Sequence, residues 1–284
     1  MTTVQVAPSR RLRSERARRA ARSATLLVGL AILGFWIVCA VFGSRIAPID
    51  PYADNLLATL DPPSWAHWFG TDQLGRDVFS RVIVGARDIL TVAPLATLLG
   101  TVLGTALGLF VGYYRGAVDD LVSRVIEALQ ALPLVIVALM ALAAVGTSNL
   151  AVVLVIGFVF TPLIARTVRS AVLIESSLDY VAAARLRGAG LLDIMFVEIL
   201  PNVLPLIVVE ATVRFGYAIF FVASLSFLGF GIQPPSADWG IAIAENYSLI
   251  GSYWWTVIFD AIATASLVVG VYLAADGIQG VLRE

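Results

Sequence analysis

Few residues in this chain are equipped for covalent or metal chemistry. All 19 basic residues are Arg, and there is one His (His67) and one Cys (Cys39) among 284 residues. Without Lys there is no P-loop lysine and no Schiff-base amine. One His and one Cys exclude a His-pair zinc motif, a cysteine-cluster metal site and an internal disulfide. No G-x-S-x-G turn occurs. No catalytic residue and no metal ligand is therefore assigned. Cys39 reads as a buried reduced thiol, and His67, between Trp65 and Trp68, as an interfacial loop residue.

The polar residues that remain are informative by where they fall. Glu210 and Arg214 stand at i, i+4 inside a long apolar run. That spacing puts them on one helix face, in the order that favours an intrahelical ion pair. Charges at membrane depth face a bundle interior or an aqueous path. Two readings stand: a self-neutralised pair near the inner boundary, or polar lining of a translocation path. Asp260 is alone in the last apolar run, either on the path or near the outer water interface. A third group is Gly70, Thr71, Asp72, Gly75, Arg76, Asp77 and Arg81, whose charges alternate over a short range. With Val78, Val82 and Ile83 as an apolar face, they describe an amphipathic helix on the outer membrane surface. It serves either to clamp the outer loops or to seat a binding protein.

The elements that must hold these residues are membrane spans. Of the residues, 59% are hydrophobic and 14% charged, against about 25% charged in soluble domains. Mean hydropathy is +0.90. A helix needs roughly 20 apolar residues to cross a bilayer. Uncharged or nearly uncharged runs at 24–44, 89–114, 121–145, 150–168, 202–230 and 253–275 predict six spans. The first is too long and too poorly followed for a cleaved signal peptide. Residues 1–23 form an Arg-rich tail, 45–88 an extracytoplasmic segment, and 89–284 a five-span core. Gly100, Gly104 and Gly108 recur every four residues and predict close helix packing. With both termini inside, inner segments hold fourteen Arg and outer segments four; N-in, C-in is the expected topology. The arginine cluster at 10–22 reads as a cytoplasmic anchor beside the first span and not as a nucleic-acid patch.

The stretch 176–202, SSLDYVAAARLRGAGLLDIMFVEILPN, is too polar to span yet helical in its signals. Ser176 or Ser177 is placed as a cap, Asp179 at the positive dipole end, Arg185 and Arg187 at the negative end. Gly188 suits a left-handed C-terminal turn. A second short helix, 191–198, is expected, with Pro201 opening the fifth span. Ala182, Ala183 and Ala184 give the helix a face with almost no bulk.

This stretch resembles the cytoplasmic EAA loop of ABC-importer permeases, with Ala183, Ala184, Gly188, Leu200 and Pro201 in register. Ala182 stands where that pattern has Glu, and Glu198 where a His is common. FGTDQLGRDVFSRVIVGAR (69–87) and LSFLGFGIQPPSADWG (225–240) resemble segments of the dipeptide/oligopeptide/nickel type, C-type subunit. Asp260 replaces a residue that is usually small or Pro.

The resemblance implies an all-α integral membrane protein of the type I ABC importer permease fold, in a bacterial inner membrane. It implies a second homologous permease, two ATP-binding subunits that use the ATP, and an extracytoplasmic substrate-binding protein. Ala183, Ala184, Arg185, Gly188, Leu200 and Pro201 would couple the chain to an ATPase. The solute would be a di- or oligopeptide or a related small solute, and this chain itself would bind no cofactor. The alternative is a self-sufficient secondary transporter or channel, although the halves carry no clear internal repeat.

Overall fold

A computed structural model describes residues 10–282, with side chains from 24 to 279. The arginine side chains of the N-terminal tail, and Arg283, lie outside the described residues. The elements are α1 (Arg10–Ile46), α2 (Val78–Tyr114), α3 (Ala117–Gln130), α4 (Leu134–Val145), α5 (Asn149–Glu175), α6 (Asp179–Leu186), α7 (Leu191–Phe227), α8 (Trp239–Asn246) and α9 (Trp255–Leu282). Among the described residues the one β-feature is an isolated bridge, Thr71–Asp77.

Glycine positions fix the directions of the long helices. On α2, Gly100, Gly104, Gly108 and Gly112 face α5 so closely that a Cβ on each would meet, in turn, backbone oxygens of Gly157, Thr161, Ala165 and Arg169. Both series advance by four, so α2 and α5 run parallel. Two parallel helices in one chain need an odd number of crossings between them. On α1, Gly29 meets Leu273 and Ala274, while Ile32 meets Gly270; α1 and α9 are antiparallel. Midway along they also meet through Trp36, whose Nε1 donates to Ser266 Oγ at 2.9 Å.

Four expectations need correction. The segment 70–87 is not a separate surface helix: residues 70–77 form a tight turn, and α2 starts at Val78 and continues unbroken for 37 residues into the second span. Asp77 starts it there, accepting from Ser80 N at 2.9 Å and so satisfying an open helix donor. The third span is not continuous either. α3 and α4 meet at 90° around Pro133, where the ring cannot donate and the preceding residue avoids helix.

Ser176 and Ser177 close α5, bonding back to Leu173 O and Ile174 O; α6 begins at Asp179 without a side-chain cap. Finally, the expected short helix 191–198 and the fifth span are one helix, α7. Its residues Ile194–Ile199 form a π-turn, with Leu200 N bonding Met195 O. That wider turn carries the backbone into Pro201, which donates nothing. The loop 231–252, expected to be external, also contains α8, whose Trp239 is fully buried.

The α2–α5 contact yields a direct test. Gly104→Leu or Gly108→Val should destabilise the purified protein by about 1–3 kcal/mol through overpacking. Gly34→Leu, at a position open to 4 Å, should leave the melting temperature unchanged. Equal melting temperatures for all three variants would refute the close-packed ridge.

Candidate functional site

The loop at 176–202 presents a small, exposed helix on a rigid base. Val181 and Ala184 of α6 are fully buried against the core with Ile194, Met195 and Ile199. The opposite face, Ala182, Ala183 and Arg185, is exposed, as is Gly188. Ala189 N bonds Ala184 O at 3.1 Å and Gly188 N bonds Arg185 O at 3.0 Å. Those bonds close a Schellman-type end, and Gly188 takes φ +79. No atom lies within 4 Å of where its Cβ would be. Leu186 is 90% exposed, and Leu192, Phe196 and Val197 of the same loop are exposed too. Leu200 is half-buried and Pro201 exposed.

Polar bonds fix this loop to the ends of three long helices. Arg115, just past α2, donates to Leu173 O (3.0 Å) and Ser176 Oγ (2.9 Å) at the end of α5. The Arg185 guanidinium lies 5.2 Å from the ring centre of Tyr113 on α2. Tyr180 donates to Glu175 at 2.7 Å and accepts from Asn202 Nδ2 at 3.2 Å. Burial first, and then that bond to Glu175, hold the Tyr180 phenol above its ordinary range. Arg187 pairs with Glu198 at 3.1 Å, tying the two ends of the loop. Tyr113, Arg115, Tyr180 and Asn202 were not singled out from the sequence. Only their nearness to span ends hinted at them.

At the other end the 70–81 residues gather into one buried cluster. Asp72 Oδ1 accepts from Leu74 N and Arg76 N, and Oδ2 from Arg76 Nε at 2.7 Å. Positive φ at Gly70 and Gly75 allows the turn around it. Arg76 reaches on to Glu245 of α8. Burial opposes the Arg76 charge, but Asp72 and Glu245 outweigh it and raise its pKa. Thr71 is held from Asp61 N and to Ala58 O, and its own carbonyl accepts from Trp255 Nε1 at 3.2 Å. Asp77 pairs with His67 Nδ1 at 2.9 Å. Arg81 donates to Pro51 O and Ser236 O, each at 3.3 Å. Thr71, Asp72, Asp77 and Arg81 are at most 2% exposed, so their side chains work inside the fold.

Asp238 completes this cluster and was missed in the sequence. It caps α8 through Ile241 N at 3.0 Å. Its Oδ2, and Oδ1 of Asp260, have no hydrogen-bond partner among the described residues. Asp260 is buried on α9 within the field of Arg81, Asp238, Asp72 and Glu245. Glu210 and Arg214 do form their pair on α7, with Arg214 Nε donating to Oε1 at 2.7 Å. Arg214 also lies 5.8 Å from the Tyr217 ring centre. The two ends of the chain's polar architecture are therefore separate: an exposed loop on one side and a buried clamp on the other.

The profile of the binding-protein-dependent transport system inner membrane component family matches residues 104–283. This chain belongs to that family. It is an ABC-importer permease of the bacterial inner membrane, which displaces the secondary-transporter alternative. It is 40% identical over 267 residues to the dipeptide transport system permease protein DppC of Escherichia coli K12, covering 92% of this chain and 89% of that one. A putative peptide transport system permease protein of Brucella suis is 37% identical over 270 residues, covering 94% of this chain and 90% of its own. The di/tripeptide transport system permease protein DppC of Pseudomonas aeruginosa is 35% identical over 262 residues, with coverage of 90% and 86%.

Asp238 gives the permease a pH signature. Burial first, with the like charge of Asp88 adding to it, pushes its pKa from 3.8 up to about 6. The folded state thus holds the proton more tightly than the unfolded chain. The stability from that proton is present in full below pH ~4 and is lost as pH rises through 6, on the order of 3 kcal/mol. Asp238→Asn keeps the capping oxygen and stays neutral. Thermal melts between pH 4.5 and 7 should be flatter for that variant than for the parent; superimposable profiles would contradict the assignment.

Proposed function

We propose that this chain is one of two homologous permeases that together enclose the pathway of an ATP-driven importer for di- or oligopeptides. The peptide assignment is supported by what the relatives are named for carrying. Two ATP-binding subunits would hydrolyse the ATP on the cytoplasmic face, and an extracytoplasmic binding protein would deliver the solute. This chain would then be a non-catalytic subunit, binding no cofactor of its own. The excess of arginine on the α6 side supports N-in, C-in placement.

The observation that carries this reading is α6 itself, a small-faced helix exposed on one side and bolted to α2, α5 and α7 on the other. Docked in a groove of an ATPase subunit, Ala183, Arg185 and Gly188 would contact it, while Ala184 anchors the helix from within. Leu200 and Pro201 carry its displacement into α7. Closing the ATPase pair would draw two such helices together and rock the bundles as rigid bodies. The pair Glu210–Arg214 lies partway along α7, 15% and 20% exposed at the side chains. In this reading it lines the path in a self-neutralised form, available to the zwitterionic ends of a peptide. Asp260, fully enclosed, contributes to the outer clamp and not to the lining.

Two substitutions at one position separate backbone strain from bulk. Gly188→Ala adds only the cost of an L-residue at positive φ, roughly 1–2 kcal/mol. Gly188→Trp adds bulk on the exposed side, where nothing in this chain obstructs it. In reconstituted transporter, the Ala variant should retain most peptide uptake. The Trp variant should assemble and hydrolyse ATP but lose uptake by tenfold or more. Wild-type uptake by Gly188→Trp would count against docking through α6.

A further inference from the structure

The bent pair α3–α4 leaves one face unaccounted for by the importer reading. Asp119 and Gln130 are eleven residues apart on α3, about 16 Å along its axis. Their partners on α5 are Arg169 and Arg166, only about 4.5 Å apart. α3 therefore crosses α5 and does not run beside it. α4, joined to α5 by a three-residue turn, returns alongside it. Leu134, Val137 and Ala141 share an apolar cavity of about 380 Å³ with Val155, Phe158 and Pro162.

Depth follows from the same positions. From Asn149, at the polar turn, to Arg166 is 17 residues, about 25 Å. In a hydrocarbon layer of about 30 Å, α3 then lies some 5 Å inside the boundary on the α6 side. An upright α4 of about 18 Å plus the roughly 10 Å thickness of a helix lying flat closes the crossing.

The faces of α3 agree with that placement. At 100° per residue, exposed Val118, Leu121, Val125 and Leu129 fall in an arc of roughly 80°. Exposed Asp120, Arg124 and Glu127 fall roughly 135° round. Between them, on the longer way round, Asp119 and Ile126 turn inward and are buried. An upright helix in the bundle wall would not expose three charges along one line to hydrocarbon.

We propose that α3 is an interfacial foot. It lies flat in the leaflet next to the coupling loop, with Val118, Leu121, Val125 and Leu129 seated among phospholipid acyl chains and Asp120, Arg124 and Glu127 in the headgroup water. The third crossing is thus L-shaped. Through the ion pair of Asp119 with Arg169, and through Arg115 to Ser176, the foot sets the height of the coupling loop relative to the membrane surface. The inference holds whichever solute is carried.

The test uses the whole transporter in phospholipid nanodiscs, with Cys39 replaced by Ala and no other reactive cysteine in the complex. Spin labels are placed singly at residues 120, 121, 124, 125, 127 and 129, and samples with unaltered ATPase activity are compared. Labels at 121, 125 and 129 should be relaxed mainly by dissolved oxygen. Those at 120, 124 and 127 should be relaxed mainly by a water-soluble nickel chelate, all at one depth. A steady rise of oxygen access along the helix would mean an upright span and overturn the proposal. Protection of 121 and 125 from both relaxants would also overturn it, because a protein would then cover the face that the proposal gives to lipid.

Discussion

The fold depends on the absence of side chains along one edge of α2. In lipid there is no hydrophobic drive to bring two helices together, because acyl chains are as apolar as leucine. Association rests on close van der Waals contact, and that requires backbones to touch. Gly100, Gly104, Gly108 and Gly112 allow it, each over a backbone oxygen of α5. The contact has a topological consequence beyond its energy. It sets α2 and α5 parallel, so the chain between them must cross the membrane once. The L-shaped α3–α4 unit is the solution, although neither of its helices is long enough to cross alone.

The same contact explains how a push at one end can move a bundle. α6 has only eight residues and would not be stable by itself. Its buried face, its tie from Arg185 to Tyr113 and the Tyr180 bonds to Glu175 and Asn202 make it part of the ends of α2, α5 and α7. With α2 and α5 in backbone contact from Gly100 to Gly112, about three helical turns, displacement at the loop cannot be absorbed between them. At the far side Arg76 connects the turn before α2 with Glu245 on α8, and Arg81 connects α2 with Ser236 before α8. The tie to α9 is made by Trp255, whose Nε1 donates to the carbonyl of Thr71, 184 positions away. In the proposed rocking motion these ties would make that end of the bundle a second fixed point.

Much of this was legible in the sequence, for identifiable reasons. Six crossings follow from apolar run length, a one-dimensional property. The glycine ridge shows in the spacing of four, and the Glu210–Arg214 pair in the helical period. The EAA-like loop was visible through Ala183, Ala184 and Gly188, whose small size is itself the signal. What was hidden depends on partners distant in the chain. Pro133 marked an interruption but not a right angle, which is set by Asp119 and Gln130 finding arginines only three residues apart. The π-turn before Pro201 has no sequence signature, since it arises from joining a loop helix to a span without a break. Asp238 lay in what read as an external loop, and only the burial of Trp239 drew it inside. The 70–77 turn was read as helix because alternating charge and apolar residues fit that period. The carboxylate of Asp72, collecting donors from Leu74 and Arg76, was the stronger local interaction.

The central claim is that α6 is the point where an ATPase subunit moves this chain. The most direct measurement is disulfide cross-linking from a single cysteine at Ala183, in a Cys39→Ala background, to cysteines placed along the surface groove of the ATPase subunit. The account predicts efficient cross-linking in the assembled transporter, with the distance from Ala183 to the corresponding loop of the partner permease shortening when ATP is bound. If Ala183 cross-linked to no ATPase position, or if its spacing to the partner permease were the same with and without ATP, the account would be contradicted.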